Sequence, residues 1–366
     1  MDLQGLIWES DEILLSEFGI KPERSKYTIH LDWSGFVKST GAHAQSEGVY
    51  FPRILSAHLK ESSEFLKVNL LHEFYGHGLF CEHAITGKQI VSLEQALAET
   101  ERKMLNISDL PAMKKFQVDE TNSLFREYAK SRKDLECFFA KNVHLYEGFA
   151  IWLEHFLSKA TNQQHIFEKK MDKLVISDYI NLFEHFYNFS LQYGNFALIA
   201  QLGFPKYYDK DTVVQTLKKI CKEEFDTIDL AILYGSQKPY SDIDLFIVSD
   251  SIQSYHNHWL DMYTRNRRQL EEGIKYLSIA VTDPLFSGAV IVGETDFQDQ
   301  IKRKILDQPI TPDAIEYNFA QSEEQGAISF MYPAGSEERK IAQSYHHSFR
   351  KNAEQLQKGK KILTFK

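Results

Sequence analysis

The chain has 366 residues, 43% of them hydrophobic and 25% charged, which suits a folded protein of two domains, since single cores rarely grow past ~250–300 residues. Its formal net charge of -9 argues against a general nucleic-acid binder, whose phosphate contacts need clustered Lys and Arg. Cys81, Cys137 and Cys221 are scattered, so neither a disulfide framework nor a cysteine zinc site is expected.

The first dozen residues are acidic and lack a signal-peptide pattern, and no apolar run approaches the ~20 residues of a membrane span. The expectation is a soluble protein in a reducing, cytoplasmic setting, without membrane contact. Residues 1–24 read as a short helical lead, with Leu14, Leu15 and Phe18 as its apolar face. Lys26–Trp33 alternates like a half-buried strand, and the small, polar run Gly35–Gly48 reads as a loop or loose hairpin. Val49-Tyr50-Phe51-Pro52 reads as an edge strand, because proline cannot donate from inside a sheet. A long helical pattern covers about residues 60–83 and includes Leu71-His72-Glu73-Phe74-Tyr75-Gly76-His77-Gly78.

From Val91 to about Ala200 the pattern is almost wholly helical, with separate helices expected around Leu124–Phe139 and Leu145–Leu157. Gly203-Phe204-Pro205 stops the last of these, and Lys206–Asp211 reads as a linker with Asp211 or Thr212 capping the next helix. The pattern then changes to a small α/β arrangement. Thr212–Lys222 reads as helix, Leu230–Tyr234 and Leu245–Val248 as strands, Trp259–Gly273 as helix, and Tyr276–Val281 and Val290–Val292 as further strands. A Pro/Gly-broken stretch near Met331–Gly335 precedes a polar helix, Glu337–Lys358.

Two places carry chemistry. His72 and His77 are five residues apart, and on a regular α-helix they would stand roughly 140° apart. Zinc-binding histidines on one helix usually sit at i, i+4, so a π-bulge is required here, with Gly76 and Gly78 loosening the turn. Glu73 would then be the general base. A third ligand is needed. Glu147, in the apolar segment Tyr146–Glu154, is preferred because a buried carboxylate is costly unless paired or bound to metal. Glu154, on the same helical face, would orient a ligand histidine. His83, six residues after His77, is the rival ligand. The competing reading makes these ordinary helix residues. Tyr75 is open between an oxyanion donor and core packing.

HEFYGH followed by YEGFAIWLE resembles the gluzincin-type zinc carboxypeptidases with an HExxxH motif, the tubulin tyrosine carboxypeptidase family among them. The resemblance implies Zn²⁺ on His72, His77 and Glu147, catalytic Glu73, and a peptide or protein substrate. In such peptidases an edge strand pairs with the substrate backbone, a role for Val49–Pro52 or the Gly41–Ala44 loop.

The second place is Gly235-Ser236 after one strand and Asp242-Ile243-Asp244 at the start of the next. Alternation puts both carboxylates on one side, where they can hold Mg²⁺ bridging nucleotide phosphates. The pattern resembles the minimal nucleotidyltransferases of the DNA polymerase β superfamily. That resemblance implies catalytic Asp242 and Asp244 and a nucleoside triphosphate bound with Mg²⁺ at Gly235 and Ser236. Aligning Leu277–Val281 with the strand of the family's third carboxylate puts Ser278 there, with Asp283 as a substitute only if the strand ends differently. Arg265, Arg267 and Arg268 read as a solvated helix face.

The expected architecture is a multidomain α+β protein. A mostly helical zincin-like metallopeptidase domain with a small sheet spans 1–205, an α/β nucleotidyltransferase domain 206–305, and a helical tail 306–366. The expected function is zinc-dependent peptide hydrolysis plus Mg-dependent nucleotidyl transfer. The alternative is a nucleotidyltransferase, or a nucleotide-binding sensor, whose N-terminal domain is a non-peptidase scaffold.

Overall fold

The structure, a computed structural model, describes residues 2–20, 22, 28–31, 33, 47–108, 118–173 and 177–364. Most of the expected Gly35–Gly48 loop, including Gly41–Ala44, lies outside these residues. The protein is α+β and mostly helical, and it divides into two compact units, Met1–Tyr207 and Tyr208–Lys366. Among the described residues no helix is long and apolar enough to cross a membrane.

The first unit begins with α1 (Leu3–Phe18). The Asp2 carboxylate accepts from Gly5 N at 2.7 Å to cap its start, and Gly19 ends it in the left-handed conformation at φ 66°. A three-stranded sheet follows, β1 (Thr28–His30), β2 (Gly48–Phe51) and β3 (Ser56–Leu59), in the order β1-β3-β2. β3 is central, parallel to β1 and antiparallel to β2, which leaves β2 on an edge as Pro52 suggested.

The chain then runs through α2 (Leu66–Leu70), a π-helical segment (Leu71–His77) and α3 (Gly78–His83) without leaving helical geometry. α4 (Ile85–Ser108) and α5 (Val118–Ala160) follow, then α6 (Gln164–Lys173), α7 (Ser177–Tyr193) and α8 (Asn195–Gln201). α5 is one continuous helix of 43 residues where the sequence pattern suggested two. The interval between the two apolar stretches holds good helix formers and no proline, so nothing breaks it. Phe149–Leu153 are consecutive and all buried, so this part of α5 is enclosed on every side. It meets Leu70, Leu71, Tyr75 and Phe80 in the core.

The second unit begins with α9 (Lys210–Cys221). Its cap is Asp209, which accepts from both Thr212 N and Thr212 Oγ1 at 2.8 Å, in place of the expected Asp211 or Thr212. A mixed five-stranded sheet is built from β4 (Leu230–Tyr234), β5 (Ile243–Val248), β6 (Tyr255–His256), β7 (Leu260–Arg265) and β8 (Ala289–Gly293). The order is β6-β7-β5-β4-β8, with β5 and β7 parallel and the other pairs antiparallel.

Two expectations fail here. Leu260–Arg265 is a strand, and helix α10 (Arg267–Lys275) starts only after the capping box of Asn266 and Gln269. Tyr276–Val281 is a turn entering α11 (Ile279–Ser287), with Ser278 at its N-cap position. Apolar Leu260 and Met262 alternate with Asp261 and Tyr263, a period of two that the helical reading of the longer window hid.

α12 (Thr295–Asp307) and the helical hairpin α13 (Pro312–Met331) and α14 (Glu337–Gln357) complete the unit. The hairpin is fastened to the preceding turn by buried amides. Asn352 Nδ2 donates to Leu277 O at 2.8 Å and to Asn318 Oδ1 at 2.9 Å, and Asn318 Nδ2 donates to Tyr276 O at 2.9 Å. The C-terminal helices therefore belong to the second unit.

Candidate functional site

The π-helical segment resolves the spacing of the two histidines. Bonding from i to i+5 widens the turn, so residues five apart reach the same side. The His72 and His77 rings lie 4.7 Å apart, at 87° to each other. Gly76 has a different role from the loosening expected of it. It lies against α5, where a Cβ would stand 2.6 Å from Ala150 Cα and 2.8 Å from Ala150 Cβ. Ala150 is three residues past Glu147, so glycine here lets the two helices approach closely enough for their side chains to meet.

Glu147 is the residue brought to the pair. Its Oε2 lies 3.6 Å from His72 Nε2 and 3.7 Å from His77 Nε2, and the three ligand atoms fall within 4.8 Å of one another. Ligands about 2.1 Å from a tetrahedral ion stand about 3.4 Å apart, so the donor set fits zinc. It is the only such group among the described residues. The rival ligand His83 is not part of it; its Nε2 faces Glu82 Oε2 at 3.5 Å and its ring lies against Phe204.

Glu154 does what the sequence suggested. Its Oε2 accepts from His72 Nδ1 at 2.9 Å, which turns Nε2 toward Glu147. Lys170 of α6, which the sequence did not point to, donates to Glu154 Oε1 at 2.7 Å. A buried Glu154 thus bridges His72 and a cation. His77 is held differently, with its ring stacked on Tyr146 at 3.9 Å. Its buried Nδ1 has no hydrogen-bond partner among the described residues.

Protonation follows from these contacts. Burial opposes charge on His72, but hydrogen bonds to Glu147 and Glu154 outweigh it and push its pKa up to about 9. Burial holds His77 neutral, down at about 3. Burial would raise Glu147, yet the two histidines hold it at about 2. Burial pushes Glu73 up to about 7, and the neighbouring His72 offsets only part of that rise.

Glu73 stands beside the ligand group, its Oε2 3.9 Å from His77 Nε2. It also meets the edge strand, where a Cβ on Gly48 would come 2.9 Å from Glu73 Cγ. A cleft of about 400 Å³ opens here, floored by His72, Glu73, His77 and Glu147 and walled by Gly48–Pro52. Tyr75 has no part in it. It is fully buried and donates to Ile7 O at 2.7 Å and Asp11 Oδ1 at 2.8 Å, so it packs the core.

In the second unit the Gly-Ser turn joins β4 to β5. Gly235 has φ 71°, and a Cβ there would lie 1.9 Å from Asp244 Oδ2, so only glycine fits. Ser241 Oγ donates to Ser236 Oγ at 3.2 Å across the turn. The pairing aligns Tyr234 with Asp244, and Asp244 with Asp261 on β7. Asp261 is therefore the carboxylate on the neighbouring strand. Ser278, expected at that position, is a buried helix-cap residue instead. Asp261 was missed because its strand was read as helix. The alternation Leu260-Asp261-Met262-Tyr263 carried the signal.

His256 Nδ1 lies 2.6 Å from Asp261 Oδ1. Burial, together with Asp242, Asp261 and Asp283, pushes Asp244 up to about 8. Asp242, Asp244 and Asp261 do not form a convergent ligand group of the kind seen at His72. Of the three arginines, Arg267 and Arg268 are exposed on helix α10 as expected, and Arg265 is not on a helix. Arg265 ends β7 and lies over the Tyr263 ring at 4.0 Å, while Arg267 makes a two-pronged pair with Asp229 at 2.8 Å.

The chain matches no protein-family model, and none of the curated proteins matches it.

Proposed function

We propose that the first unit is a zinc-dependent peptidase of the HExxxH gluzincin kind. The observation that carries this reading is the convergence of His72, His77 and Glu147 beside a half-buried Glu73 and, among the described residues, an edge strand. Bound there, zinc supplies a Lewis acid that polarises the scissile carbonyl and makes water a nucleophile near neutral pH.

The chain's own groups do the rest. Edge strand β2 offers its backbone to an extended peptide, laying it along the cleft. Glu73, poised at about 7, takes the proton of the attacking water and passes it to the leaving amine, the range in which a general base is most effective. Glu154 and Lys170 hold His72 in the tautomer and orientation a ligand needs. The test is Glu73→Gln, assayed against a peptide library with zinc measured in parallel. Hydrolysis lost with zinc retained supports the reading. Hydrolysis at the wild-type rate refutes it.

A second activity, nucleotidyl transfer, is proposed for the second unit. It is favoured by Asp261, a carboxylate in register with Asp244 on the neighbouring strand, which could act as the third carboxylate. Asp242 and Asp244 would hold Mg²⁺ with a nucleoside triphosphate, and the metal would neutralise charge on the phosphates. Gly235 and Ser236 let the backbone approach the triphosphate, and Asp261 receives the proton of the acceptor hydroxyl. Transfer of label from α-labelled NTP, abolished by Asp242→Ala, supports this activity. Failure of every NTP to transfer leaves the sensor or scaffold alternative.

A further inference from the structure

Against β6 and β7 of the second sheet lies an open cavity of about 300 Å³, lined on its other sides largely by the α13–α14 hairpin. Tyr263 and Arg265 of β7 form one wall, Gln321 and Gln325 of α13 another, and Tyr345 and Phe349 of α14 a third. Arg265 is half-buried and makes no ion pair with a carboxylate among the described residues; its guanidinium carbon lies over the Tyr263 ring, 4.0 Å from its centre. A charge so placed is costly to desolvate unless an anion meets it. Glu338, at the cavity's edge, is exposed.

The lateral order of the sheet says which side of the reaction the cavity serves. Gly235 lies at the end of β4 and Asp244 on β5, then Asp261 on β7 and His256 on β6. From the sheet the cavity is lined by His256, Tyr263 and Arg265; none of Gly235, Ser236, Asp242, Asp244 or Asp261 lines it, but His256 does, 2.6 Å from Asp261 Oδ1. Tyr263 and Arg265 share a strand face with Asp261 and stand about 7 and 13 Å along the strand from it. Tyr345, half-buried in the cavity wall, is near enough to Asp261, Asp244 and Arg265 to feel their charges.

We infer that this cavity binds the acceptor of nucleotidyl transfer, a small aromatic anion bearing a hydroxyl, with its ring among Tyr263, Tyr345 and Phe349 and its anionic group on Arg265. The acceptor role rests on the nucleotidyl-transfer reading; the preference for an aromatic anion does not. In the transfer, the acceptor oxygen bonds to the α-phosphorus of the NTP as the bond from that phosphorus to the bridging oxygen breaks. The electron pair leaves on pyrophosphate, and the hydroxyl proton passes to Asp261.

The experiment is calorimetric titration of the full chain with 4-hydroxybenzoate and with its neutral analogue 4-hydroxybenzamide. The acid should bind roughly tenfold more tightly, the effect of a charge-assisted hydrogen bond. Arg265→Gln should abolish that preference and Arg265→Lys should retain part of it, with circular dichroism checking the fold of each. Asp242→Asn should keep the preference while losing label transfer from NTP, which separates the two readings. Acid and amide binding alike, or neither binding at millimolar concentration, overturns the cavity assignment whatever becomes of the transfer activity.

Discussion

Gly76→Ala should perturb the candidate metal site without changing His72, His77 or Glu147. The added Cβ would lie 2.6 Å from Ala150 Cα, 2.8 Å from Ala150 Cβ and 3.1 Å from Ala150 O. Ordinary carbon contacts are about 3.5–4.0 Å, so the π-helical segment and α5 must separate by about 1 Å. Backbone meets backbone here, so no side-chain rotation relieves the clash. Overpacking of this kind costs about 1–3 kcal/mol, and the better helix propensity of alanine returns at most about 1 kcal/mol of it. The larger effect falls on the metal. Ligand distances must hold within about 0.2 Å, and Glu147 sits one turn before Ala150, so zinc affinity should fall at least tenfold. Competition with a fluorescent chelator measures the affinity, and thermal unfolding measures stability. Gly148→Ala is the control. Its clash is with the Phe186 ring, 2.5 Å away, so it should cost stability and leave zinc affinity nearly unchanged. Wild-type zinc affinity in folded Gly76→Ala would refute the claim that this close approach positions the ligands.

Glu154→Gln keeps the shape of the residue holding His72 but strips the charge that faces Lys170; zinc affinity should drop about 10–100-fold by the same chelator assay. Zinc binding near pH 8 should release about one proton. His72 keeps its proton up to about 9 without metal while His77 is already neutral, so affinity should rise with pH until that value. Titration in two buffers of different ionisation enthalpy counts the proton, and a pH-independent affinity contradicts the protonation scheme. Asp244→Asn should stabilise the second unit at alkaline pH. Asp244 titrates at about 8 when folded and near its ordinary value of 3.8 when unfolded. The folded state therefore binds more protons between those values, and stability falls as pH rises through that window. The substitution should recover on the order of a few kcal/mol at pH 8 and little at pH 4, as urea unfolding of the two proteins would reveal.

Much of the first site was legible because its chemistry is local in sequence. His72, Glu73 and His77 sit within six residues, and their odd spacing called for the π-helical turn that the structure has. Glu147 and Glu154 were recoverable because two carboxylates in so apolar a helix demand partners. Lys170 was not recoverable. It lies among other lysines in a polar helix, and only the fold brings it to Glu154. Gly76 was noticed for the wrong reason, since close approach of two helices is invisible until the partner residue, Ala150, is known. In the second unit the error over Leu260–Gly273 hid both Asp261 and Arg265. A strand that runs directly into a capped helix presents one long window in which the helical period dominates. The bounds of α13 within the expected helical tail were not legible because its polar and apolar residues are distributed without a clear stripe, and what fixes it is a pair of buried asparagines.

The central claim is the three-residue metal centre, and metal content tests it most directly. Protein purified without chelator should carry about one zinc per chain by elemental analysis. His77→Ala and Glu147→Ala should carry almost none, and His83→Ala should match wild type. A wild-type protein without stoichiometric metal, or one whose zinc depends on His83 and not on Glu147, would contradict the account.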